Sequence, residues 1–197
     1  IILNQTWRKG DFLDTKDQAI QIAKSHLQLR GYNGFSFQDI ADELGIRKAS
    51  LHYYFSSKED LGLALISNYS SAFQQWVGKF KEDSPLAQIE RYIQMFSLIS
   101  QDELKICPAG VLCIDLNTLP SKMQKAVSSF QDEQKQWLEK VLSSGIKAGD
   151  FTTSLSAKEM AQLLMSTCQG SLQIARMQNN ARLAKATCNN LLSLLKT

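Results

Sequence analysis

Histidine, proline and long apolar runs are all scarce in this 197-residue chain, and each shortage closes off a class of function. The only two histidines are His26 and His52, and neither falls in an HExxH pattern. There is also no GxSxG and no phosphate-cradling glycine loop, so the residues that metalloprotease, serine-hydrolase or nucleotide chemistry needs are missing. The four cysteines, Cys107, Cys113, Cys168 and Cys188, lack both the CxxC spacing of a zinc site and the density of a secreted disulfide scaffold. That usage fits a reducing compartment. The longest apolar runs, LGLALI and AGVLCI, are far short of the roughly 20 residues that cross a bilayer, and the first residues form no apolar signal core. These absences predict a soluble, cytoplasmic protein that is not an enzyme, uses no cofactor or metal, and does not engage a membrane.

The three prolines, Pro85, Pro108 and Pro120, each sit at an expected helix boundary, and between them the pattern is helical almost everywhere. Helix-start signals of the S/T-x-x-D/E/Q kind occur at Thr15 to Gln18, Ser36 to Asp39, Ser57 to Asp60 and Ser156 to Glu159, and Ser84-Pro85 adds another. The map predicts about nine helices: near 15 to 30, 37 to 44, 48 to 54, 58 to 81, 85 to 100, 107 to 117, 121 to 147, 156 to 178 and 181 to 195. Residues 1 to 13 carry no clear period and are expected to form an irregular arm. The fold class is therefore all-α.

The most informative window is GIRKASLHYYFSSKEDL, from Gly45 to Leu61. Before it, Phe37, Ile40, Ala41 and Leu44 make one apolar face of a short helix, and Gly45 stands where a left-handed residue would end that helix. A small Ala41 lets a second helix cross close above it. That second helix turns Leu51 and Phe55 inward, which leaves Arg47, Lys48, Ser50, His52 and Tyr54 outside or at the rim. Two helices joined by a short turn are the geometry whose second helix enters the DNA major groove. Two readings of the window stay open: Tyr53 is either a core aromatic or a phosphate contact, and Arg47 with Lys48 is either a reading pair or a solvated one.

The run GYNGFSFQDIADELGIRKASLHYYFSSKEDL resembles the DNA-binding region of the tetracycline-repressor (TetR) family. That family has a glycine-aromatic end to the first helix, a Thr/Ser start to the second, "IA..LG" at the turn and "LY.HF..K..L" closing the third. This chain has His52 where the family usually has tyrosine, and Tyr54 where it usually has histidine. The resemblance implies that Gln38, Arg47, Lys48, Ala49 and His52 approach base edges, while Ser36, Tyr53, Tyr54 and Lys58 hold phosphates. Side-chain chemistry agrees, since Arg or Lys donates to guanine O6 and N7, Gln pairs with adenine, and a small Ala49 allows contact with a thymine methyl. Residues 1 to 60 hold eight Lys/Arg and eight Asp/Glu, so this module is not net basic, and specificity must rest on few contacts.

Residues 61 to 197 are expected to form a helical ligand-binding and dimerisation domain behind the DNA-binding module of residues 1 to 60. Phe73 and Trp76, Phe96, and Phe130, Gln134 and Trp137 fall on the inward stripes of three helices. Such stripes make either plain core or an apolar pocket with an orienting polar group. The segment CPAGVLCIDLNTLP resembles the "GC.LG.L..E....P" stretch of many TetR-family members, with Ile106 for the usual glycine and Asp115 for the usual glutamate. It would border that pocket and bring Cys107 to it. Cys107 is read either as an inert thiol or as an electrophile or oxidant sensor, since it sits just before Pro108. The helix near 156 to 178 is apolar on two sides, which suggests that Met165, Cys168 and Leu172, with Leu191 and Leu195 on the last helix, build a two-fold four-helix bundle between subunits. The alternative is that these residues only complete a monomer core.

Together these readings predict a homodimeric transcriptional repressor that binds a palindromic double-stranded operator and is released by a small apolar or aromatic effector. The alternative within the same family is a thiol-based sensor using Cys107. A purely architectural DNA-binding protein would not need the larger C-terminal part.

Overall fold

The computed structural model describes residues 14–102 and 104–194, so the N-terminal arm and Leu195 lie outside the described residues. Nine α-helices are present among them: α1 Thr15–Arg30, α2 Phe37–Leu44, α3 Lys48–Tyr54, α4 Lys58–Phe80, α5 Pro85–Gln101, α6 Pro108–Ile114, α7 Ser121–Ala148, α8 Ala157–Met177 and α9 Arg182–Ser193. The all-α expectation holds, with a helix-turn-helix head and a helical C-terminal part. The segment expected as one helix near 107 to 117 instead splits into α6 and a short 3-10 turn, Leu116–Thr118.

The helix starts follow the side-chain caps that the sequence carries. Ser36 and Asp39 form a reciprocal capping box on α2, and Ser156 with Glu159 does the same on α8. Ser57 accepts from the Asp60 N–H at 3.1 Å, and Ser84 caps α5 ahead of Pro85. At α1 the cap is Asp14 rather than Thr15, because the Asp14 carboxylate accepts from the backbone of Lys16 and Asp17 and leaves Thr15 as the first helical residue.

Packing groups the chain into two compact units, cut elsewhere than the division by role at residue 60. The first comprises the described residues up to Phe73 together with Pro108–Phe130. Its core is Leu27, Ile40, Ala41, Leu51, Phe55, Leu61 and Leu65, all buried. Gly45 takes the left-handed conformation at φ 68° and ψ 29°, and the Ile46 N–H bonds back to Ala41 O at 3.0 Å. A residue with a Cβ is disfavoured at that φ, so glycine sets the angle at which the chain leaves α2 for α3. Ala41 is wholly buried below this turn.

The second unit comprises Gln74–Cys107 and the residues from Gln131 onward. Within it α5, α8 and α9 pack against one another. Met160, Leu164, Cys168, Leu172 and Ala175 of α8 and Ala184, Cys188 and Leu192 of α9 are buried in this core. No helix among the described residues is long and apolar enough to cross a membrane.

Candidate nucleic-acid interface

Helix α3 has one buried residue, Leu51, and Phe55 just beyond its end is also buried. Leu51 and Phe55 lie four residues apart and anchor one side of the helix, so Arg47, Lys48, Ala49, Ser50, His52 and Tyr53 are all exposed. The Tyr53 ring is 87% exposed, which rules out the core alternative for it. It stacks edge-on against Tyr54, with ring centroids 5.2 Å apart, and His52 leans on Phe37 at 5.1 Å. Helix α3 and its N-cap Arg47 thus present two cations, a histidine and a tyrosine to solvent.

The acidic residues of α2 each have a local partner that fixes where the carboxylate lies. Asp39 accepts from Ser36 Oγ at 2.6 Å and from the Ser36 N–H at 2.7 Å, and these bonds hold its carboxyl below the usual carboxylate range. Asp42 accepts from the Gln38 side-chain amide at 2.7 Å, and a Glu43 oxygen lies 3.2 Å from His26 Nε2. The same bonds commit two expected DNA contacts: the Ser36 hydroxyl proton goes to Asp39, and the Gln38 amide must leave Asp42 before it can read a base.

Lys58 requires a correction. Expected as an outward phosphate contact, its ammonium instead turns inward and donates to the carbonyl of Phe35. It lies 4.6 Å from the ring centre of Tyr32 and 4.5 Å from that of Phe35. Two aromatic faces and a carbonyl satisfy the charge locally. Burial lowers the Lys58 pKa, and the charges of Asp39 and Asp115 oppose that shift.

Asp115 makes a long-range contact that no local pattern announced. Its Oδ2 accepts from the backbone N–H of Tyr32 at 2.7 Å, and Thr118 Oγ accepts from the Asn33 side-chain amide at 2.7 Å. A Cβ on Gly31 would lie 3.0 Å from the same Asp115 oxygen, and Gly31 has φ 82°, so only glycine lets the carboxylate approach without strain. The segment after α6 is in this way bonded to the turn between α1 and α2. The partners lie 83 residues apart, beyond the reach of periodicity or capping rules.

The seven expected pocket residues do not form one cluster by packing unit. Phe73 and Phe130 belong to the first unit, their rings edge-to-face at 6.3 Å. Trp76, Phe96, Cys107, Gln134 and Trp137 belong to the second, where Trp76 meets Trp137 at 5.1 Å and Tyr92 bridges Trp137 at 5.7 Å and Phe96 at 5.1 Å. Cys107 is buried and accepts from the Gln169 side-chain amide at 3.4 Å. None of the seven lines a groove of about 360 Å³ in the second unit, which is formed by Glu90, Ile93, Gln94, Lys185, Asn189, Leu192 and Ser193.

Two of the expected subunit contacts are also corrected. Cys168 is 0% and Leu172 1% exposed within the single chain, so both are used up in its own core, while Met165 and Leu191 are half-buried. The outward apolar stripe of α8 is instead Leu163, Ile174 and Met177, which share one helical face with the open Gly170.

Residues 20–65 match the profile described as "Bacterial regulatory proteins, tetR family", and residues 85–191, more than half of the chain, match the tetracyclin repressor-like C-terminal domain. The chain belongs to the tetR family. A crystal structure of a tetR-family transcriptional regulator from Agrobacterium tumefaciens is similar with a TM-score of 0.88 at 28% identity, covering 93% of this chain and 98% of that one. An HTH-type transcriptional regulator in the lacX 3' region of Lactococcus lactis subsp. lactis is 27% identical over 193 residues, covering 93% of this chain and 92% of that protein. The negative transcriptional regulator IcaR of the biofilm operon icaADBC in Staphylococcus aureus is 29% identical over 138 residues, covering 61% of this chain and 71% of that protein. As a tetR-family member the protein is a DNA-binding transcriptional regulator and not an enzyme.

The inward Lys58 leads to a stability prediction. Lys58→Ala strands the Phe35 carbonyl and removes a cation from two rings, at a cost of about 1–3 kcal/mol. The urea unfolding midpoint should fall accordingly. An unchanged midpoint with uniformly weaker DNA binding would return Lys58 to the phosphate role.

Proposed function

We propose that the protein is a homodimeric repressor that acts in the cytoplasm on a palindromic operator and is released by a small apolar or aromatic effector. Residues 1–60 bind DNA in this reading, and residues 61–197 receive the effector and join the subunits. The observation that carries it is α3: its cationic and aromatic side chains stay exposed while Leu51 and Phe55 alone root it in the core. Arg47 and Lys48 donate to guanine edges, Ala49 admits a thymine methyl, His52 reaches a base, and Tyr53 and Tyr54 hold phosphates. Ser36 and Gln38 join them once DNA competes for Asp39 and Asp42. The negative regulator IcaR among the relatives supports repression rather than activation.

The ring cluster of Trp76, Tyr92, Phe96 and Trp137 supports an effector with apolar or aromatic surface, since such a ligand can replace ring-ring contacts as those rings part. Any effector releases DNA only by binding the DNA-free form more tightly. The Asp115 bond to Tyr32 supplies a path for that preference, because displacement of the segment after α6 pulls on the turn that leads into α2. A second copy of the chain is the occupant we assign to the Leu163, Ile174 and Met177 stripe, with Met165 and Leu191 at its margins. Gly170, with open space above its Cα, lets two such helices approach closely.

Selection from a randomised duplex pool should recover a near-palindrome with half-sites about 34–36 Å apart. Arg47→Ala should cost about 1–3 kcal/mol on that site and relax preference at a particular base. Unchanged affinity and preference would reject α3 as the reading helix.

Placing glutamate at both Ile174 and Met177 should convert the dimer to a folded monomer in sedimentation velocity and abolish binding to the palindrome. A wild-type protein that is already monomeric at micromolar concentration would contradict the dimer.

A further inference from the structure

Cys168 on α8 and Cys188 on α9 face each other in the core of the second unit, with their Sγ atoms 3.0 Å apart. That is about 1 Å longer than a disulfide bond and closer than two sulfurs pack by dispersion alone. Ser171 Oγ lies 3.6 Å from the Cys188 sulfur and 2.8 Å from the Cys168 carbonyl. We propose that Cys168 and Cys188 form a dithiol modification site whose co-reactant is a hydroperoxide and whose product is an intrachain disulfide joining α8 to α9.

The two thiols are chemically unequal, as such a reaction requires. The hydrogen bond shared with Cys168 lowers the Cys188 pKa, burial opposes this, and Ser171 adds to the lowering. Cys168 is shifted upward by the shared bond and by burial. Cys188, which shares its α9 stripe with the groove-lining Lys185, Asn189 and Leu192, is assigned as the attacking thiolate and Cys168 as the resolving thiol. Both sulfurs are buried, and the nearest opening along α9 is the groove of about 360 Å³, whose lining residues Lys185, Asn189 and Leu192 lie on the helical stripe that also carries Cys188. Lys185 adds a positive charge at that approach. The Tyr92 hydroxyl is buried, has no hydrogen-bond partner among the described residues, and is kept protonated by burial first and by the charges of Cys168, Cys107 and Cys188 after it. It is an unused donor beside the reacting sulfurs.

In the first step the Cys188 thiolate attacks the distal peroxide oxygen, the O–O bond breaks, and the alkoxide leaves and takes up a proton as an alcohol, or as water from hydrogen peroxide. Cys188 becomes a sulfenic acid. In the second step Cys168 Sγ attacks Cys188 Sγ, the S–O bond breaks, and hydroxide departs with the Cys168 proton as water. The two thiols lose two electrons, and the peroxide O–O bond gains them. The resulting bond ties α8 to α9 across 20 residues. Its effect on DNA binding rests on the assignment of these helices to the dimer, whereas the thiol chemistry does not.

The test treats the full chain with hydrogen peroxide, followed by intact mass and non-reducing peptide mapping. Folded wild-type protein should lose two hydrogens in mass, reversibly with dithiothreitol, with the bond mapped to Cys168 and Cys188. The bond should form at least about tenfold faster in folded protein than in urea, because the fold brings the sulfurs together. Oxidised protein should melt about 5–10 °C higher than reduced protein. Cys188→Ala should abolish the mass loss, while Cys107→Ser and Cys113→Ser should leave it intact. Four unreacted thiols in folded protein, a bond mapped to other cysteines, or one that forms no faster folded than in urea would each overturn the proposal. The comparison of folded and urea-treated wild type needs no variant to fold.

Discussion

Asp115 accepts one hydrogen bond from the Tyr32 peptide, and a sequence of contacts runs from that bond to the start of α2. The Tyr32 ring packs edge-on against Phe35 at 6.3 Å, and the Lys58 ammonium lies over both rings. Burial first and the Glu59 charge second push the Tyr32 hydroxyl up to about 12, so it stays neutral within this cluster. Phe35 also stacks on His26 at 5.8 Å and directly precedes Ser36, the cap of α2. A carboxylate acceptor is the appropriate partner here, because a charged group bonded to a buried peptide N–H is worth more than a neutral one.

This arrangement explains why the first packing unit contains Pro108–Phe130 as well as the helix-turn-helix. The head does not end at α3. Its α1–α2 turn is completed by Asp115 and Thr118, which reach it from the segment that follows Cys107 and Pro108 in the chain. On the proposed reading, a regulator needs such a joint, for an effector can alter DNA affinity only through contacts that differ between two states. On that reading, two hydrogen bonds and one glycine are a small enough set to have two arrangements.

What was legible in the sequence was what local physics encodes. The capping pairs at Ser36 and Ser156, the first-turn proline at Pro85 and the left-handed Gly45 each act within a few residues, and the helix limits follow them closely. The burial of Leu51 and Phe55 follows from their spacing of four. The direction of Lys58 was not legible, because a lysine at the start of a helix looks solvated until two aromatic rings and a carbonyl converge on it. Cys168 and Leu172 were placed outward because α8 is apolar on two sides, and periodicity alone does not say which side α5 and α9 cover. The Asp115 bond and the Cys168–Cys188 pair join residues far apart in sequence, where no spacing rule operates.

The joint at Asp115 is tested most directly by hydrogen exchange at the Tyr32 amide, measured residue by residue in the wild type and in Asp115→Ala. The account predicts protection of at least about a hundredfold over the free peptide in the wild type, lost in the variant while amides in the middle of α1 keep theirs. A Tyr32 amide that exchanges at the free-peptide rate in the wild type, or one equally protected without Asp115, would contradict it.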